Sequence, residues 1–165
     1  MNEGGGAFGG TLYSCILAGN EATLGGGASR AVLHNCTLTG NSAGAGGGAY
    51  RCTLYNCTVT SNTAESYGGG VLGSTLEDCL VEGNWAYWGG GASRGAWQYP
   101  PELPCTLVNC TVTRNTAEGS GGGALDATLI NCTLTGNTAG ERGGGASGGA
   151  LYNCTLIGNS AISMI

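Results

Sequence analysis

The sequence predicts an all-β protein: a single-stranded parallel β-helix (β-solenoid) of about seven coils of 21–22 residues, one domain over residues 1–165. Three observations predict it. A glycine triplet recurs at a near-constant interval, like side chains fall into columns between the triplets, and the best-preserved stretch alternates strictly with a period of two. The triplets begin at Gly4, Gly25, Gly46, Gly68, Gly89, Gly121 and Gly143, at intervals of 21, 21, 22, 21, 32 and 22 residues. A unit of this length cannot bury its own apolar face and does so by stacking on a copy of itself.

The glycines are read first. Twenty-one of the 35 lie in the triplets, so their placement is periodic, which marks a corner or a close backbone approach in every coil rather than a flexible linker.

The apolar columns define the interior. One holds Leu12, Leu33, Leu54, Leu76, Leu107, Leu129 and Leu151; a second holds Leu17, Leu38, Val59, Val81, Val112, Leu134 and Leu156. Small residues fill two more, one from Ala22 to Ala161 and one that follows the triplets from Ala7 to Ala146. Within Cys36-Thr37-Leu38-Thr39, Cys36 and Leu38 point one way and Thr37 and Thr39 the other, as a half-buried strand requires. No helical spacing is sustained. Stacked at about 4.8 Å per coil, the rod is roughly 34 Å long.

Two polar columns flank that strand and predict ladders. One runs Ser14, Asn35, Asn56, Asp78, Asn109, Asn131, Asn153; the other runs Asn20, Asn41, Asn62, Asn84, Asn115, Asn137, Asn159. Asn tolerates left-handed dihedrals at a corner and bonds the amide stacked above it. Asn35, Asn56, Asn109, Asn131 and Asn153 also match Asn-x-Thr, but amides turned inward at the corner leave no room for sugars, so the ladder role is expected.

Seven of the nine cysteines, Cys15, Cys36, Cys57, Cys79, Cys110, Cys132 and Cys154, share one interior column and are expected as free, buried thiols. Parallel Cβ vectors in stacked strands resist the dihedral a disulfide needs. Cys52 and Cys105 lie in a second column with Ser74 between them, about two coil rises or 9.6 Å apart, too far to bridge. With no CxxC pair and one histidine, His34, expected outside beside the Asn ladder, no metal or cofactor site is expected.

Composition excludes several function classes. The net charge is −5, and the five arginines, Arg30, Arg51, Arg94, Arg114 and Arg142, are scattered, so there is no basic stripe for nucleic acid. Apolar runs are only a few residues long, so no membrane span is expected. The start, Met1-Asn2-Glu3-Gly4, has neither a basic nor an apolar segment, so no export signal is expected within this chain.

Segments such as Leu38-Thr39-Gly40-Asn41-Ser42-Ala43, followed by Gly46-Gly47-Gly48-Ala49, resemble the F-x-x-N and G-G-A-[ILV] repeats of chlamydial polymorphic membrane proteins and related bacterial β-helical surface proteins. Leu or Val stands where that family has Phe, and the triplet carries one more Gly. The resemblance covers nearly the whole chain and implies a right-handed parallel β-helix displayed outside the cell and used for adhesion.

Three surfaces are candidates for function. Thr37, Thr39, Thr58, Thr60, Thr111, Thr113, Thr133 and Thr135 form an outward Thr-x-Thr array suited to ice, interrupted in the fourth coil by Leu80 and Glu82. The single break in the period is an insertion at about 95–105; the aromatics around it, Trp85, Tyr87, Trp88, Trp97 and Tyr99, are a candidate platform for a glycan or protein. Glu77, Asp78 and Glu82 lie in one coil without acidic partners in the neighbouring coils, so the acid and base of a polysaccharide-cleaving enzyme are not indicated. The sequence thus favours a non-catalytic structural or adhesive module that self-associates through its ends. An ice-binding protein is the alternative, and a carbohydrate-binding or carbohydrate-degrading β-helix the second.

Overall fold

A computed structural model describes residues 1–95 and 103–162. The described residues contain 28 short β-strands and no helix. The strands form four parallel sheets, each seven-stranded, and every coil contributes one strand to each sheet. In the second coil these strands are Ala28–Ser29 (first sheet), Val32–His34 (second), Thr37–Thr39 (third) and Ser42–Ala45 (fourth).

Stacking is in register, so each predicted column is real. Leu54 pairs with Leu33 below and Leu76 above, and Val59 lies between Leu38 and Val81. Strands of two to five residues are too short to persist alone; the pairing with coils on both sides and the shared core hold them. Leu33, Leu38, Leu54, Leu76, Leu107, Leu129 and Leu134 are fully buried in one continuous cluster with the ladder cysteines. A buried leucine contributes about 1.5–3 kcal/mol before chain entropy is subtracted.

Glycine is required in the triplets for two different reasons. Gly68 has φ of 65°, where a Cβ is penalised. Gly69 has no unusual φ, but a Cβ there would lie 2.2 Å from the carbonyl oxygen of Trp85. The triplet is therefore the place where the chain passes against the backbone of its own and the next coil.

The two Asn columns differ. The inner one, Asn41 to Asn137, is buried at 0–1% exposure. Each of these amides lies on the coil interior and links three coils: Asn62 Nδ2 donates to Leu38 O at 3.0 Å and to Asn84 Oδ1 at 3.0 Å, and its Oδ1 accepts from Asn41. The outer one takes the left-handed conformation, with φ of 50–54° from Ser14 through Asn153. Its members are exposed, which corrects the inward placement expected for Asn35, Asn56, Asn109, Asn131 and Asn153. The reason is the interior parity: Leu33 and Cys36 both point inward, so the two residues between them turn out. The outer amides still bond one another, as in Asn56 Nδ2 to Asn35 Oδ1 at 2.7 Å.

A second, smaller apolar cluster lies outside the main core. Leu24, Ala45, Tyr50, Leu72 and Leu103 form it, with Tyr67 packed against it. No helix among the described residues is long and apolar enough to cross a membrane.

Candidate functional site

The aromatic group is built on the fourth-sheet strand Trp85–Trp88. Ala86 is the inward residue of this strand and is fully buried, which turns Trp85 and Tyr87 to the outer face by alternation. Trp85 stands in register between Thr63 and Thr116, two small neighbours that leave its ring half exposed. Tyr87 is 42% exposed. Trp88 has another role. It pairs with Tyr67, and its ring lies against Gly119, where a Cβ would fall 2.3 Å from Cζ3. The Tyr87 and Trp88 rings meet edge to face at 5.1 Å. The structure thus brings Trp85, Tyr87 and Trp88 together, with Trp88 anchoring the group to the rod. Trp97 and Tyr99 lie outside the described residues.

The threonine array is present in two blocks. Thr37 and Thr39 pair with Thr58 and Thr60, and Thr111 and Thr113 pair with Thr133 and Thr135. Leu80 and Glu82 occupy the coil between the blocks. Glu82 is ion-paired with Arg114 across this face, and Thr113 Oγ1 donates to the Thr135 carbonyl at 3.0 Å, so that hydroxyl is directed along the rod.

One grouping escapes the sequence pattern. The rings of Tyr13, His34 and Tyr55 stack on the outer face of the second sheet, with centroids 4.9 Å apart at both steps and planes within 10–11°. Their register, Tyr13 to His34 to Tyr55, is that of the sheet itself. His34 is therefore outside, as expected, but sandwiched between two phenol rings. The available signal is the shared offset of the three residues from their glycine triplets.

All nine cysteines are free. Burial pushes the Cys52 thiol up to about 11 and the Cys105 thiol up to about 12. Cys52 N–H donates to Ser74 Oγ at 3.1 Å, which fixes Ser74 as the intervening member of that second column. In the main column, hydrogen bonds from the neighbouring Cys110 and Cys57 thiols hold Cys79 below the usual thiol range. No group of three or more His, Cys, Asp or Glu side chains among the described residues converges on a point where an ion could be held. Of the three acids of the fourth coil, Glu82 pairs with Arg114, and Asp78 Oδ1 accepts from Asn109 Nδ2 at 3.2 Å. A groove of about 620 Å³ beside Cys105 is lined in part by Arg94 and Asp126.

Comparison with known proteins finds no family and no curated relative that matches this sequence.

Proposed function

We propose that the chain is a non-catalytic structural and adhesive module, a stiff rod that holds side chains at a fixed spacing on the outside of a cell. The observation that carries this reading is the pair Trp85 and Tyr87, two aromatic side chains presented outward from a strand that is hydrogen-bonded on both sides and anchored by Trp88. Rigid aromatics bind with little loss of side-chain entropy, and flat ring faces suit the apolar face of a sugar or an apolar patch on a protein. The resemblance to bacterial β-helical surface proteins supports the extracellular placement. The terminal coil supports self-association through the ends, because Leu151, Leu156 and Ile162 are 37%, 48% and 59% exposed.

Glycan-array and cell-surface binding measurements test the adhesive reading. Binding that falls at least tenfold in Trp85→Ala and Tyr87→Ala supports it; binding that is absent in the parent chain, or unchanged in both variants, defeats it. A second reading, ice binding, is favoured by the in-register Thr37, Thr39, Thr58 and Thr60 block. Thermal hysteresis with faceted crystals would establish it, and its absence at millimolar protein would remove it.

A further inference from the structure

The outer corner column carries a regularity that its ladder does not require. From Ser14 to Asn153 every member is exposed, the next residue is an inward cysteine, and the one after that opens the third-sheet strand with its side chain turned out. Where the corner residue is Asn, that strand residue is always Thr: Thr37, Thr58, Thr111, Thr133 and Thr155. Where the corner residue is Ser14 or Asp78, the strand opens with Ile16 or Leu80 instead. Asn and Thr are thus kept together or lost together. Neither the ladder nor the sheet needs the threonine, because in the fourth coil Asp78 still accepts from Asn109 at 3.2 Å and Leu80 still pairs in register with Thr58 and Thr111. The inner column, buried from Asn41 to Asn137, has Ala two residues after every amide from Asn20 to Asn159.

We infer that the outer column is a modification site, the acceptor for N-linked sugars at Asn35, Asn56, Asn109, Asn131 and Asn153. Asn-x-Thr with x other than Pro is the acceptor motif, and here x is Cys in all five coils. Burial of these amides would bar a sugar; in the folded chain all five are exposed, with the cysteine turned in between them and the threonine. The reaction leaves the ladder in place. An Asn amide carries two N–H bonds, and Asn56, Asn131 and Asn153 each give one to the neighbouring Oδ1, at 2.7, 3.2 and 2.8 Å. In the transfer, Nδ2 bonds to the anomeric carbon of a nucleotide- or lipid-diphosphate sugar, the anomeric C–O bond breaks, its electron pair leaves with the diphosphate, and the displaced Nδ2 proton is taken by the transferase. The product keeps one N–H for the neighbouring Oδ1. Successive amides are one coil rise apart, about 4.8 Å, so a sugar on one coil crowds the next and partial occupancy is expected. The site rests on the surface placement proposed above, where bound sugar would solvate a rod with only 9% charged residues.

The test is glycopeptide mapping by mass spectrometry of the chain purified from the cells that make it, with surface placement scored separately by protease shaving of intact cells. The expected result is sugar mass on amides of the outer column and on none of the inner column. In each occupied coil, exchange of the motif threonine for alanine removes the sugar while the amide stays: Thr58→Ala keeps Asn56 and its bond to Asn35, and Thr58→Ser retains the sugar as well. Circular dichroism confirms that each variant is folded. Unmodified outer amides in a chain that shaving releases overturn the inference and leave the surface placement standing. Sugar on a chain that shaving cannot reach supports the site and overturns the placement, and an unmodified chain inside the cell overturns both. Sugar confined to other residues, or retained in the alanine variants, also overturns the inference.

Discussion

Asn62 donates both its backbone N–H and its side-chain Nδ2 to one atom, Oδ1 of Asn84, at 2.9 and 3.0 Å. The same double donation joins Asn84 to Asn115 and Asn115 to Asn137. Replacing Asn84 by Ala orphans both donors of Asn62, the Val59 carbonyl and one lone-pair site on Asn115 in a dry interior. At about 1–3 kcal/mol for each unsatisfied buried group, with partial relaxation, a loss of about 4 kcal/mol is expected. Urea unfolding measures it, and a loss under 1 kcal/mol would mean that the inner ladder is dispensable.

Two glycines predict opposite tolerance. Gly69→Ala drives a methyl into the Trp85 carbonyl, a backbone atom that cannot rotate away, so the stack opens and at least about 3 kcal/mol is lost. Gly40, with φ of 61° and nothing within 4 Å of a Cβ, shares its column with Ser61 and Arg114, which hold φ of 55° and 53°. Gly40→Asn is expected to change stability by less than about 1 kcal/mol, since Asn enters this conformation readily. Melting temperatures of the two variants check the contrast.

Stability should fall on the alkaline side. Cys52 and Cys105 titrate at about 11 and about 12 when folded, chiefly because burial opposes the thiolate, against about 8.5 in an unfolded chain. Above the unfolded value the unfolded state releases protons that the folded state retains, so stability is full below about pH 8.5 and is lost progressively as pH rises toward 11–12. The diagnostic quantity is therefore the difference between the parent chain and Cys52→Ala/Cys105→Ala, whose denaturant midpoint should decline less over this range.

The aromatic group separates binding from support. Trp88→Ala removes the ring that covers Gly119 and is expected to cost about 2 kcal/mol, below the full-burial range because the side chain is half exposed. Trp85→Ala, at an outward strand position, should cost about 1 kcal/mol or less. Equal destabilisation by both would show that Trp85 is structural too, and would weaken the platform reading.

The architecture was legible because a parallel in-register stack places residue after residue of one column in one environment. Leu33, Leu54 and Leu76 therefore have to be alike, and are. The number of sheets was not legible: Ala28–Ser29 and its copies are two-residue strands, too short to show alternation, and they become strands only by pairing with the coils on either side. The facing of Asn35 was misread because left-handed dihedrals permit either side of a corner, and the choice belongs to the inward parity of Leu33 and Cys36. In the candidate site, Trp85 and Tyr87 were found by composition. The Tyr13, His34 and Tyr55 stack was missed because an imidazole between two phenols breaks the chemical likeness that marks a column, although ring planarity preserves the geometry.

The inner amides give the rod an orientation that its outline conceals. From Asn41 to Asn159 every Oδ1 accepts from the coil before it, and from Asn20 to Asn137 every peptide N–H gives to the coil after it, so the small bond dipoles add along the axis instead of cancelling. One face of the stack presents an acceptor at Asn20 and the other a donor at Asn159. Contact between molecules in a head-to-tail sense matches the two, whereas a two-fold head-to-head or tail-to-tail arrangement sets like against like.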